Sequence, residues 1–149
     1  MEYCRLQMGC FIVVMYLSFI YYRDCKKYQK RLNSSIFDEL LILSIITIIL
    51  DGITAVTVNH LDVVNPMVNK ILHLFFLLAL DTVIYTLFGY MVNTTGSLEH
   101  NKKRHRWLHL PYFVNIFVAV LNIGSLEFRE GTFTNYSMGV SAYTCFAMV

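Results

Sequence analysis

The sequence predicts an all-α fold: a polytopic bundle of transmembrane helices, with four complete helices and the start of a fifth. Two observations carry this prediction. Hydrophobic residues make up 56% of the 149 residues and charged residues 15%, whereas soluble domains have about 45–50% and about 25%. The apolar residues are also gathered into long runs, and each of the two central runs has the ~20 residues that a helix needs to cross a bilayer.

The first three predicted helices follow from these runs and their borders. Residues 6–22 form a run that ends in an aromatic pair suited to the membrane interface. The basic residues come after this run, whereas a secretory signal would have them before it. Residues 37–58 and 68–92 are predicted to form a helical hairpin, the centre of the protein. Pro66 lies at the start of the second hairpin helix, where its missing N–H costs nothing.

The later part of the chain predicts one more complete helix and one incomplete helix. Trp107 marks the interface end of a helix over residues 107–126. A polar loop follows, and a last apolar run over residues 138–149 is too short to span a bilayer. We therefore expect residues 1–149 to be the N-terminal transmembrane domain of a longer protein, whose cytoplasmic output domain is absent from this chain.

The distribution of Lys and Arg predicts the orientation. The loops after the first and third predicted helices hold five and four of these residues, and the other three polar segments hold one each. By the positive-inside rule, residues 23–36 and 93–106 are cytoplasmic and the N-terminus is outside. We expect a multi-pass protein of the bacterial inner (plasma) membrane. The basic loops are interpreted as topology signals, and no nucleic-acid partner is expected.

The sequence lacks the motifs of the common enzyme classes, including Walker, zinc-protease, dinucleotide-binding and nucleophile-elbow patterns. The four cysteines have no C-x-x-C spacing, and no histidine has a ligand-spaced partner on its own element, so neither a metal nor a cofactor is expected. We expect no enzyme within these 149 residues.

Polar residues inside the predicted helices are the candidates for function, because ionisable groups at bilayer depth are costly. At ~1.5 Å of rise per residue, His73 lies about 7 Å, Asp51 about 10 Å and Asp81 about 20 Å below the outer surface. A contact between Asp51 and His73 is geometrically allowed. We predict this pair as the centre of the site, either as a structural ion pair or as a sensor of protons or a polar ligand. Asp81 is expected to pair with a hydroxyl or amide on the second or fourth helix.

Stripes of small and polar residues also recur at helical spacing on three of the helices, and their simplest interpretation is interhelical packing. In the second helix the stripe is Ser44, Thr47, Asp51 and Thr54; in the third it is Asn69, His73, Asp81 and Tyr85; in the fourth it is Asn115, Ala119 and Asn122.

Two segments resemble a known family. The segment LDGITAVTVNHLDVVNPMVNKILHLFFLLAL, with a D…V-N-H part from Asp51 through Asn59 to His60 and an N-K-I-x-H part from Asn69 to His73, resembles the multi-pass N-terminal membrane sensor region of GGDEF proteins of Firmicutes, especially clostridia. TFTNYSMGVSAYTCF resembles the start of that family's fifth helix. The resemblance implies about six helices before a cytoplasmic diguanylate cyclase domain, which makes cyclic di-GMP. It implies sensing or assembly for these polar residues.

The function expected from these observations is the sensory input of a bacterial signalling protein, controlling a GGDEF domain outside this chain. The expected partners are the lipid bilayer, a second copy of the chain in a homodimer, and an extracellular or membrane-borne ligand. Two alternatives remain open: the sensor region of a quorum-sensing type histidine kinase, and a small transporter whose Asp51 and Asp81 carry protons.

Overall fold

A computed structural model of the chain describes residues 4–28, 34–95, 102–131 and 135–147. The centres of the two basic loops and the last two residues of the predicted fifth helix lie outside these ranges. The described part contains five helices, which confirms the all-α class: α1 (Arg5–Tyr28), α2 (Ser34–Val58), α3 (Pro66–Thr94), α4 (Lys102–Leu121) and α5 (Val140–Ala147).

Three segments of the described chain are long and apolar enough to cross a membrane: Arg5–Asp24, Ile36–Val58 and Pro66–Thr94. At ~1.5 Å per residue they extend over roughly 30–44 Å, against a hydrocarbon core of about 30 Å. The apolar part of α4, His109–Leu121, is shorter, about 20 Å by the same rise. Within the described residues, length and composition therefore support three spans rather than the four complete helices predicted.

The hairpin of α2 and α3 forms as predicted. α2 ends at Val58, and Pro66 is the first residue of α3. The Met67 backbone N–H donates to Asn65 Oδ1 at 2.9 Å, so Asn65 caps the helix. Proline suits the position after such a cap, because its ring presets the helical φ and its missing N–H would have had no partner inside the helix.

The segment after α4 departs from the prediction. α4 ends at Leu121 rather than at residue 126, and a short 3-10 turn, Ile123–Ser125, follows it. Two strands, β1 (Glu127–Arg129) and β2 (Tyr136–Met138), then pair antiparallel. Residues predicted as a polar loop and as the start of the fifth helix thus form a small β-hairpin, and α5 begins only at Val140.

Two residues account for these boundaries. The Asn122 side chain donates to the Val118 carbonyl at 3.0 Å, a local bond of the kind that competes with helix continuation. Gly139 has φ +150°, and a Cβ there would lie 2.8 Å from the Ser125 carbonyl oxygen. Only glycine allows this close approach between the start of α5 and the 3-10 turn.

The helices pack as sequence neighbours: α1 against α2, α2 against α3 and α3 against α4, while α5 packs against both α3 and α4. The apolar core is small and centres on Leu77 and Leu126, with Phe128 from β1 packed on it. Many large apolar side chains face outward, among them Leu6, which is 77% exposed. An apolar surface of this extent fits a membrane-embedded protein and would promote association in water.

Candidate functional site

One face of α3 carries the buried polar residues of the protein's centre. Asn69, His73, Leu77 and Asp81, spaced by four residues, are its buried positions, and Asn69 and Asp81 are 0% exposed. The spacing seen in the sequence therefore does mark one buried helix face.

At the end of this face nearest the α2–α3 loop, Asn69 joins α3 to α2. The Thr57 hydroxyl donates to Asn69 Oδ1 at 2.8 Å, and Asn69 Nδ2 donates to the Thr57 carbonyl at 3.3 Å. Both ends of the buried amide are thus satisfied, and the pair locks the two helices near their connecting loop. This arrangement gives Asn69 a structural role.

Asn59 and His60, at the end of α2, behave differently from each other. Asn59 Oδ1 accepts from the Asn135 backbone N–H at 3.0 Å, and Asn135 Nδ2 donates to the Val58 carbonyl at 3.0 Å. Asn59 therefore fastens the segment before β2 to the end of α2. The exposed His60 ring contacts its own helix, with Nδ1 2.8 Å from the Val56 carbonyl oxygen, and does not join the buried face of α3.

His73 lies beneath the β-hairpin. Its ring makes edge contacts with Phe128 of β1 at a centroid distance of 5.3 Å and with Phe76 at 6.3 Å. The residue is 7% exposed, and within the described part of the chain its buried Nδ1 has no hydrogen-bond partner. Burying a polar atom without a partner costs free energy, so this imidazole is a candidate for binding or switching.

The 3-10 turn and hairpin cover His73 through contacts with α3. Besides the Phe128 contact, Lys70 Nζ donates to the Gly124 carbonyl at 2.8 Å. Together with the bonds of Asn135, these contacts place residues 122–131 and 135–138 as a cap over the ends of α2 and α3. Phe128 and Asn135 had no signal in the sequence, because neither belongs to a periodic apolar or polar run.

The predicted contact between Asp51 and His73 is not formed. The Asp51 carboxylate instead accepts a hydrogen bond from the Gln7 side chain of α1. This contact places the Asp51 carboxylate against α1.

Asp81 pairs with an amide on α4, one of the partners expected for it. Asn115 Nδ2 donates to Asp81 Oδ2 at 2.6 Å, and both residues are buried. Two further bonds between α3 and α4 lie deeper along α3. Together we name these three pairs the α3–α4 ladder: Asp81–Asn115, Thr82–Tyr112 at 3.0 Å, and Tyr85–His109.

The ladder follows the antiparallel course of the two helices: from one pair to the next, the residue number rises on α3 and falls on α4. The rings of Tyr85 and Tyr112 also stack, with centroids 4.3 Å apart and planes within 16°. Side-chain hydrogen bonds between transmembrane helices average about 0.6 kcal/mol each. The ladder therefore fixes the register of α3 against α4.

The remaining stripes are packing features. The hydroxyls of Ser44 and Thr47 donate to carbonyls four residues earlier in their own helix, which satisfies them without a partner on another helix. On α4, Asn115 and Ala119 are buried. The Ala119 carbonyl accepts from Ser141 Oγ of α5 at 3.0 Å, so this stripe contacts both α3 and α5.

Among the described residues, no group of three or more His, Cys, Asp or Glu side chains could hold a metal ion. No protein-family model, no curated protein and no solved structure matches this chain.

Proposed function

We propose that this chain is the membrane-embedded sensory input region of a bacterial signalling protein. The single observation that supports this best is His73: a buried imidazole with an unpartnered Nδ1 among the described residues, covered by Phe128 of the β-hairpin. A buried group of this kind can be stabilised in a second state, in which a ligand or a rearranged cap supplies the missing hydrogen bond. The resemblance to the GGDEF family supports the same class of function.

Helix α3 provides a route from the cap to the opposite end of the bundle. Its 29 residues carry His73 in the outer half, and Asp81 and Tyr85 of the α3–α4 ladder in the inner half. A shift of α3 against α2 at the cap must therefore be accommodated by α4, because the ladder couples their register. Small helix shifts of this kind are a common way to pass a signal between packed helices.

The proposal includes an orientation and an output. The cap and the N-terminus would lie outside, and the two basic loops in the cytoplasm, as the charge distribution favours. The fourth helix would cross the bilayer with Trp107 at the cytoplasmic interface, and a fifth would continue inward. The output would be a diguanylate cyclase of the GGDEF type acting through a homodimer of the chain. The input region of a histidine kinase would use the same helices with a different output.

The test is a fusion of the complete chain to a cytoplasmic diguanylate cyclase catalytic domain. Linkers that differ in length by one residue would sample the helical phases of the junction. Cyclic di-GMP is measured in cells that carry the unaltered fusion, a His73→Leu variant or a Phe75→Leu variant, at matched amounts in the membrane. Phe75 is the control because it lies on α3 but is 56% exposed, on the lipid-facing side.

We expect His73→Leu to change cyclic di-GMP several-fold in at least one linker phase, since it replaces the unpartnered imidazole with an apolar side chain. Phe75→Leu should leave the level unchanged. Equal cyclic di-GMP from all three proteins in every phase would contradict the sensory proposal. Proton flux in vesicles that is lost in an Asp81→Asn variant would then favour the transporter alternative, for which the fully buried Asp81 is the supporting observation.

A further inference from the structure

A groove runs between α1 and α2, away from the cap and the α3–α4 ladder. It has a volume of about 240 Å³ and opens to the outside of the bundle. Its walls consist of Cys4, directly before α1, with Gln7, Met8, Phe11 and Ile12 of α1 and Ile48, Ile49 and Gly52 of α2. Since both helices are long and apolar enough to cross a membrane, the groove lies within the bilayer if the chain is inserted.

Gly52 is the residue that leaves this space open. A Cβ added at Gly52 would meet nothing within 4 Å, so a side chain there would extend into the groove rather than into the protein. Cys4 Sγ lies 3.5 Å from the Gly52 carbonyl oxygen, so the residue directly before α1 contacts α2 beside this opening. The groove is thus a local gap in an otherwise close helix pair.

The walls of the groove offer little to a polar ligand. Gln7 is its one amide, and this side chain is engaged with the Asp51 carboxylate. Gln7 Oε1 is buried and has no hydrogen-bond partner among the described residues, while the other lining residues present methyl, methylene, thiol and ring groups. An apolar ligand suits this lining best, because most of a polar ligand's hydrogen bonds to water would be lost without replacement.

The groove also continues into the apolar outer surface of the bundle. Met8, Ile12 and Ile49 line the groove and are also 56%, 65% and 48% exposed. Its volume is below the range of about 300–1,000 Å³ that is usual for pockets of drug-sized ligands. Size, chemistry and continuity with the apolar surface all fit a single hydrocarbon chain.

We propose that this groove binds one acyl chain of a phospholipid of the surrounding bilayer, in contact with Gly52 of α2 and Phe11 of α1. The inference rests on the membrane-embedded part of the proposed function and is independent of the sensory part. A chain held here would fill the gap between α1 and α2 and stabilise their packing.

Retention of lipid by the purified chain tests the inference. The full chain is reconstituted in vesicles of phosphatidylcholine and phosphatidylglycerol, extracted into mild detergent and examined by native mass spectrometry. We expect the unaltered protein to keep one phospholipid and a Gly52→Leu variant to lose it, because the leucine side chain occupies the groove. Gly9→Leu is the matched control: Gly9 also lies in an apolar helix with nothing within 4 Å of an added Cβ, but it does not line the groove.

Leucine is a better helix former than glycine, so both variants should remain helical, and circular dichroism checks this. A phosphatidylcholine with a photoreactive acyl chain provides a second measurement: crosslinks to Phe11 and Ile48 should disappear in Gly52→Leu and persist in Gly9→Leu. Unaltered protein without bound lipid, or equal retention in the Gly52→Leu variant, would overturn the inference. If the chain instead leaves the membrane fraction on alkaline washing, it is the membrane proposal itself that fails.

Discussion

The buried pair Asp81–Asn115 should make a measurable energetic link between α3 and α4. Asn115 Nδ2 lies 2.6 Å from Asp81 Oδ2, and the two residues are 6% and 0% exposed. A bond this short, to a carboxylate and away from water, belongs to the stronger class of protein hydrogen bonds. The proposed perturbation is a double-mutant cycle of Asp81→Val and Asn115→Val, which removes each partner separately and then both.

The expected magnitudes follow from the burial of both partners. Asn115→Val leaves Asp81 Oδ2 without this donor, and an abandoned buried acceptor costs about 1–3 kcal/mol. Asp81→Val removes the acceptor of the Asn115 amide at a similar cost. In the double variant neither polar group is present, and apolar replacement of both partners can be nearly neutral. The free energy of unfolding should therefore fall by less than the sum of the single losses, with a coupling energy of about 1–2 kcal/mol.

The assay is equilibrium unfolding of the chain in bicelles, followed by steric trapping or by denaturant titration. Val114→Ala serves as the control on α4, because Val114 is 52% exposed beside the buried Asn115. It should change stability little and show no coupling with Asp81→Val. Additive losses for the buried pair, within about 0.3 kcal/mol, would refute the reasoning that this bond connects the two helices.

Three further predictions concern single contacts. Gly139→Ala should lower the stability measured by thermal unfolding by about 1–3 kcal/mol, because it adds strain at φ +150° and a clash with the Ser125 carbonyl. Gly124→Ala is the control: an added Cβ there meets nothing within 4 Å, so thermal unfolding should change little. Asn135→Ala removes the side-chain bond from Asn135 Nδ2 to the Val58 carbonyl that helps to fasten the hairpin to α2. Amides of β2 should therefore exchange hydrogen faster while those around Leu77 keep their rate; unchanged exchange in β2 would argue against the cap. Tyr85→Phe removes the bond to His109 and should cost about 0.6 kcal/mol in the same bicelle assay, whereas a stability gain would contradict the ladder.

The sequence predicted α2 and α3 well because apolar runs and their polar borders are local features. The start of α3 at Pro66 and the common buried face of Asn69, His73 and Asp81 required only the period of one helix. The expected amide or hydroxyl partner of Asp81 was correct as a class. Choosing Asn115 among the candidates required the register of α4 against α3, which depends on packing between helices.

The wrong predictions concern features that depend on contacts between elements and not on a local sequence pattern. The contact of Asp51 with His73 was allowed by loop length and depth, but the Asp51 carboxylate is bonded to Gln7 of α1 instead. The β-hairpin was missed because strands of three residues show too little alternation to be recognised. Phe128, which covers His73, lies on one of these strands. The residues that complete the site thus come from the part of the chain with the weakest local pattern.

Cysteine accessibility in intact cells tests the membrane placement most directly, since the cap, the spans and the basic loops all depend on it. In a chain whose four cysteines are replaced by serine, Asp62→Cys lies in the exposed loop between α2 and α3, and Glu99→Cys lies in the second basic loop. A membrane-impermeant maleimide should label the cysteine at position 62 in intact cells, and the cysteine at position 99 only after the membrane is opened. Labelling with the opposite sidedness, or recovery of the chain in the soluble fraction, would contradict the account.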